Sequence, residues 1–194
     1  MAVGYTGKIL KVNLTDLSFE VESRDEYFYR TFMGGSAMAS YFLLTEMGQG
    51  VDALGPDNVL AVTTSILTGT PLAGANRYTV AAKSPLNDGF GESEAGGYFS
   101  VALKKAGFDA IVIKGQAPRP VYLWLSDGKV EFKDAAHIWG HDTGYAQDTI
   151  REELDDKKIQ MILIGQGGEN QVRYASIIQN LHHANGRTGM GAVF

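Results

Sequence analysis

Apolar residues recur along this chain in two rhythms. A period of two runs through GKILKVNL (7–14) and LSFEVES (17–23), with Thr15 and Asp16 between them, and predicts a β-hairpin. PVYLWLSDGKVEFKD (120–134) alternates on both sides of Asp127-Gly128, a dipeptide that favours a two-residue hairpin turn. The unbroken apolar runs NVLAVTTSIL (58–67) and FDAIVIKG (108–115) read as strands buried on both faces. RYTVAAK (77–83), IQMILIG (159–165) and QVRYASI (171–177) complete the strands. Helical spacing covers Arg24–Phe32, Ser36–Met47, Gly97–Ala106 and Thr143–Leu154. The last places Ala146, Ile150 and Leu154 on one face. FMGG (32–35) separates the first two helices, and SPLNDGFGESEAGG (84–97) is rich enough in turn formers to read as a loop. About ten strands and four helices, with many hairpins, predict an α+β fold of mixed β-sheets rather than a doubly wound sheet.

FMGGSAMASYFL (32–43) and EAGGYFSVALKKAG (94–107) each set a Gly-Gly pair before a helix, and a buried strand follows each. This echo suggests a pseudo-twofold of two duplicated halves. Two unrelated glycine-capped helices would look the same.

Composition narrows the function. At 194 residues, 44% of them hydrophobic, the chain holds enough apolar matter for one large domain or two closely packed halves. No apolar window is long enough to span a membrane, and MAVGYTGKIL at the start lacks the pattern of a signal peptide. With no cysteine, these residues hold no disulfide, thiolate metal site or cysteine-bound cluster. A net charge of −5 argues against nucleic acid as a partner. A phosphate site must therefore be assembled locally, against the overall charge.

Four stretches carry candidate chemistry. IGQGGEN (164–170) follows a strand, but a dinucleotide fingerprint needs a helix next, and QVRYASI reads as another strand. A glycine-rich strand-to-strand turn is the better reading. HIWGH (137–141) spaces two histidines by four, but it lacks the zincin glutamate and contains Gly140, so turn histidines fit it best. Glu92 and Glu94 are near enough to form an acid–base pair, although a solvated loop explains them as well. The fourth signal suits an anion. Arg77 opens a strand after a glycine-rich loop, Gly96 and Gly97 open a helix, and His182, His183 and Arg187 stand among Gly186, Gly189 and Gly191. Helix amides, glycine nests and arginine forks all favour phosphate.

The order and spacing of longer segments carry a resemblance. GYTGKILKVNLT (4–15), MGGSAMASYFLL (33–44), LGPDNVLAVTTSILTGTPLAGANRYTV (54–80), KSPL (83–86), GGYFSVALKKAGFDAIVIKGQAPRPVYLW (96–124), DAAHIWG (134–140), IGQGGENQVRYASI (164–177) and GRTGMGAV (186–193) together resemble the N-terminal domain of the tungsten-containing aldehyde ferredoxin oxidoreductase family. The resemblance spans residues 1–194 nearly end to end. It implies a cytoplasmic enzyme that carries tungsten or molybdenum between two pterins, beside a four-iron cluster. The family's typical reaction oxidises an aldehyde to a carboxylate, with ferredoxin as electron acceptor. It also implies a pseudo-twofold sheet base on which the bis-pterin rests, with magnesium bridging the pterin phosphates. The protein would position and polarise, and the cofactor would supply the redox chemistry.

The family's motifs map onto this chain residue by residue. Arg77 matches the arginine of G-R-Y, a pterin-phosphate contact. Glu94, Ala95, Gly96 and Gly97 match N-x-G-G, where Glu94 replaces the asparagine that helps hold magnesium; a carboxylate also suits that hard cation. His182 to Gly189 match H-R-A-x-G-R-G-G, so that His183 replaces an arginine, Ala184 offers a backbone carbonyl to magnesium, and Arg187 is retained. An imidazole is only partly charged near pH 7 and lacks the guanidinium fork. The cluster cysteines, substrate cavity and acid–base residues belong to C-terminal domains that the family carries beyond these residues. The chain is therefore expected to be an excised domain, a truncated product or one piece of a split enzyme. Its partners would be the C-terminal domains or a second subunit, ferredoxin, and a second copy in a homodimer. The alternative is a stand-alone binding or interaction module that keeps the fold without the cofactor, which the Glu94 and His183 changes would suit.

Overall fold

The computed structural model describes residues 4–194, so the first three residues of the N-terminal stretch lie outside it. Among the described residues the fold is α+β, and one six-stranded mixed sheet organises it. The chain enters as a hairpin of β1 (Lys8–Asn13) and β2 (Ser18–Ser23), then passes through α1 (Glu26–Phe32) and α2 (Gly35–Glu46). The strands β3 (Leu60–Thr63), β4 (Tyr78–Lys83) and β5 (Phe90–Ala95) follow, then α3 (Phe99–Lys105) and β6 (Ala110–Lys114). The sheet order is β2-β1-β6-β3-β4-β5, which leaves β2 and β5 at the edges.

Alternation along the central strands divides the core in two. Leu10, Val12, Leu60, Val62, Tyr78, Val80 and Ile111 face one side, where Phe99 and Leu103 of α3 cover them. Ile9, Ala61, Ala81, Ala110 and Val112 face the other, under Met38, Ala39 and Phe42 of α2. The alanines on this second face let α2 lie close to the sheet. Phe42 is fully buried there, and truncating such a side chain to alanine costs about 3–5 kcal/mol.

The expected pseudo-twofold is not displayed by this sheet. The neighbours β3 and β6 are antiparallel, so a twofold exchanging them would stand normal to the sheet. It would carry β1, which runs parallel to β6, onto a strand parallel to β3, yet β4 is antiparallel to β3. It would also keep α2 and α3 on one face, and they lie on opposite faces. The Gly-Gly echo repeats the entry to a helix, not the strand directions.

The second half of the chain wraps the first. β7 (Val121–Ser126) and β8 (Lys129–Asp134) form a hairpin closed by Asp127 and Gly128, both at positive φ, as the dipeptide predicted. Leu123, Leu125, Val130 and Phe132 of this hairpin pack on the first core, and Tyr122 and Trp124 pack toward α4 (Thr143–Glu153). α4 starts where Asp142 accepts from the Tyr145 amide at 2.9 Å. Beyond it come β9 (Ile162–Leu163), α5 (Gln166–Glu169), β10 (Ile177–Gln179), β11 (His183–Asn185) and α6 (Met190–Val193).

Four stretches differ from the sequence reading. The loop expected over 84–97 contains β5, which pairs along its whole length with β4. The strand expected over 171–177 is turns up to Ile177, and the one over 159–165 shrinks to Ile162–Leu163. The glycine-rich segment after β9 is a short helix rather than a strand-to-strand turn.

Candidate functional site

The end of β5, where the chain turns into α3, brings the anion-binding pieces together. Arg77 immediately precedes β4, and Glu94 lies near the end of β5. Register places Ala95 opposite Tyr78. Arg77 Nη1 donates to Glu94 Oε2 at 3.2 Å, with both side chains about half exposed. The arginine expected to meet a phosphate is thus paired with the carboxylate expected to meet magnesium. An exposed pair of this kind contributes at most about 1 kcal/mol and is readily reorganised.

His183 lies across the Gly96–Gly97 turn. Gly97 has φ +93, and a Cβ built there would stand 2.2 Å from the Gln179 side-chain amide and 2.7 Å from His183 Cδ2. Glycine is required at this position because the β10–β11 hairpin closes on it. The later glycines have a similar explanation. A Cβ on Gly189 would meet the Arg173 carbonyl at 2.0 Å, and one on Gly191 would meet the Ser176 carbonyl at 2.6 Å. Close backbone packing accounts for both without a nest. Arg187 is exposed, and its amide donates to Ser93 Oγ at 3.3 Å. Ala184 pairs with Ile178 in the hairpin and is exposed.

Glu92 and Glu94 share one face of β5, since residues two apart in a strand point the same way. Only Glu94 has a cationic partner in the structure, Arg77. Glu92 Oε2 is buried without a hydrogen bond. The two histidines of HIWGH lie in a turn and the bend after it; His137 approaches Glu153 at 3.4 Å, and His141 stacks on Tyr145.

The residues that hold this site together carried no periodic signal. Segment 179–188 runs beside the outer edge of β5 and bonds to it through side chains. Thr188 Oγ1 donates to the Glu92 carbonyl at 3.1 Å, and Asn185 Nδ2 donates to the Ser93 carbonyl at 2.7 Å. Ser84 Oγ in turn donates to the Thr188 carbonyl at 2.7 Å. These polar side chains stand in for a neighbouring strand and cover an edge that would otherwise invite pairing.

A second polar cluster lies across the molecule. Asp109 is buried and accepts from the Thr6 and Gly7 amides at 2.9 and 2.8 Å and from the Tyr29 hydroxyl at 2.8 Å. Lys104 Nζ is 3.8 Å from Asp109 and donates to the Ser65 carbonyl at 2.6 Å and to that of Gly4. With its hydrogen bonds made internally, this cluster ties the N-terminal segment, α1 and α3 to the start of β6.

The chain belongs to the aldehyde ferredoxin oxidoreductase N-terminal domain family, which matches it over residues 9–194. It is 45% identical over 190 residues to the tungsten-containing aldehyde ferredoxin oxidoreductase of Pyrococcus abyssi, covering 98% of this chain and 31% of that protein. The Pyrococcus furiosus protein of the same name is 42% identical with the same coverage. The aliphatic sulfonate oxidoreductase WOR-like subunit of P. furiosus is 35% identical, covering 97% of this chain and 32% of that one. Among solved structures, the active site complex BamBC of benzoyl coenzyme A reductase with 1,5-dienoyl-CoA contains a similar chain. The TM-score is 0.95 at 35% identity, over 100% of this chain and 29% of that one. The chain thus spans about a third of the length of the curated relatives it matches. Among the described residues, no helix is long and apolar enough to cross a membrane.

Proposed function

We propose that this chain is the pterin-cradling domain of a cytoplasmic tungsten- or molybdenum-dependent oxidoreductase. In this reading the complete enzyme oxidises aldehydes to carboxylates and delivers the electrons to ferredoxin. The observation that carries it is the gathering of Arg77, Glu94 to Gly97, His183 and Arg187 around the end of β5, in a chain 45% identical to a tungsten enzyme. Aldehyde is favoured as substrate because the relatives at 40% identity or more carry that activity in their names.

The residues suit a bis-pterin. Arg77 and Arg187 are exposed cations, and Gly96 has open space except for the His183 ring at 3.9 Å. In this reading the two arginines and His183 would meet pterin phosphates, while Glu94 and the Ala184 carbonyl would hold magnesium. Arg77 would then release Glu94 to meet phosphate, which would leave the carboxylate available to magnesium. The cofactor supplies the redox chemistry, and a four-iron cluster would be held by the C-terminal domains or a second subunit.

Arg77→Ala in the assembled enzyme tests the reading. Bound pterin, measured after oxidative release, should fall several-fold. The melting temperature should move little, because the lost ion pair is exposed and contributes at most about 1 kcal/mol. Unchanged pterin and metal content would remove Arg77 from the site. The Arg77–Glu94 pairing is also compatible with a second reading, a cofactor-free interaction module whose arginine already has a partner. A wild-type assembled protein that purifies without pterin or metal would support that alternative.

A further inference from the structure

Gln179 is 1% exposed at the end of β10, opposite His183 in the hairpin register. Its side chain reaches the Gly96–Gly97 turn. With the amide oriented so that both polar atoms are partnered, Nε2 donates to the Gly96 carbonyl at 2.5 Å, and Oε1 accepts from the Tyr98 amide at 3.0 Å. One buried amide thus brackets Gly97 on both sides. The absence of a Cβ at Gly97 is what allows the approach, since a Cβ would overlap Gln179. α3 has no side-chain cap of its own at Tyr98, so the clamp also fixes where the helix begins.

We infer that Gln179 is a positioning residue for the proposed phosphate cradle: it sets the Gly96–Gly97 turn against His183 before any ligand arrives. The inference rests on the reading of this turn as a phosphate site. Its physical basis is preorganisation. A glycine pair is the most mobile backbone a turn can have, and a ligand that must order it loses affinity. Two hydrogen bonds from a buried amide remove that freedom in advance. Gln179 itself is buried and touches no ligand. It acts through the backbone of residues 96–98 and the packing of the His183 ring.

The experiment uses the 194-residue chain, with magnesium pyrophosphate as the probe in titration calorimetry. Gln179→Met preserves volume and removes both bonds. It should raise the Kd roughly 10- to 100-fold, the usual effect of removing a group that orients a binding residue. Gln179→Asn, one methylene shorter, should fall between it and the wild type. Ile150→Ala, in the core under α4, is the control. It should lower the melting temperature while leaving the Kd of the folded protein unchanged, which separates positioning from general stability. In the wild type, the Tyr98 amide should exchange slowly with deuterium although its side chain is 70% exposed. In either folded variant that amide should exchange faster. A folded Gln179 variant with wild-type Kd overturns the proposal. So does fast exchange at Tyr98 in the wild type, whether or not the variants fold. No binding of magnesium pyrophosphate by the wild type would instead sink the phosphate reading, and this role with it.

Discussion

Thr188 shows how a single residue carries strain beside the site. Its φ is +61°, a conformation that costs a β-branched residue about 1–2 kcal/mol. The hydroxyl offsets the cost. It donates to the Glu92 carbonyl at 3.1 Å, a bond with a net contribution of about 1 kcal/mol, and the Thr188 carbonyl receives Ser84. Two substitutions separate these terms. Thr188→Gly relieves the backbone and loses the hydroxyl, so its urea midpoint should stay near wild type. Thr188→Val keeps the strain and orphans the Glu92 carbonyl, so it should lose about 1–2 kcal/mol. Equal stability of the two variants would show that the positive φ carries no cost, and a Thr188→Val variant as stable as the wild type would show that the hydroxyl bond contributes nothing.

At the scale of elements, local chemistry set some boundaries and long-range packing set others. α4 begins at Asp142, whose carboxylate accepts from Tyr145 N. Asp142→Ala should lower stability by about 1 kcal/mol, read from urea unfolding, with the loss of helix confined to the first turn of α4. An unchanged midpoint would mean that the cap is not used. Such features were legible because their signals are local: the Asp127-Gly128 turn, the alternation of β7 and β8, the apolar face of α4. β5 was not legible. FGESEA has little strand propensity and no apolar alternation, and it becomes a strand only because β4 offers it a ladder from Tyr78 to Lys83. Residues 171–177 erred the other way. Val172 and Tyr174 suggested a strand, but Gln171 adopts positive φ and the chain turns before Ile177 reaches β9 and β11. In the candidate site, charge and glycine spacing pointed to Arg77, Gly96, Gly97 and His183. The pairing of Arg77 with Glu94 and the clamp from Gln179 depend on contacts between distant segments, which no spacing encodes.

At the scale of the whole molecule, the proposed function makes this chain a scaffold for chemistry supplied from elsewhere. With no cysteine for a cluster, and spanning about a third of its relatives' length, the 194-residue chain should show no aldehyde-dependent viologen reduction on its own. Turnover by this polypeptide without a second subunit would overturn that assignment. The scaffold's own stability should respond to alkali through its tyrosines. Tyr78 is pushed above its ordinary value of 10.0 by burial. Tyr29 is raised by burial and by the Asp109 carboxylate, and Tyr122 by burial and its bond to Glu153. A group whose value is raised on folding contributes stability that is complete below the unfolded value and is lost as pH rises toward the folded one. Lys104 runs the other way. Burial lowers it despite Asp109, so its contribution grows with pH below its ordinary 10.5. Lys11, raised against the effect of burial by its bonds to Glu46 and Glu22, acts with the tyrosines, so four raised groups against Lys104 predict a urea midpoint that declines above about pH 10, the ordinary tyrosine value. Tyr78 isolates one part of this slope. Its hydroxyl is buried with no hydrogen-bond partner, and such an orphan costs about 1–3 kcal/mol. Tyr78→Phe deletes the orphan and leaves the ring against Phe99, whose centroid is 5.1 Å away. The variant should therefore be about 1 kcal/mol more stable at pH 7 and lose less stability between about pH 10 and pH 11 than the wild type. A less stable variant at pH 7 would show that the hydroxyl has a partner in solution, and an unchanged alkaline slope would show that Tyr78 takes no part in it.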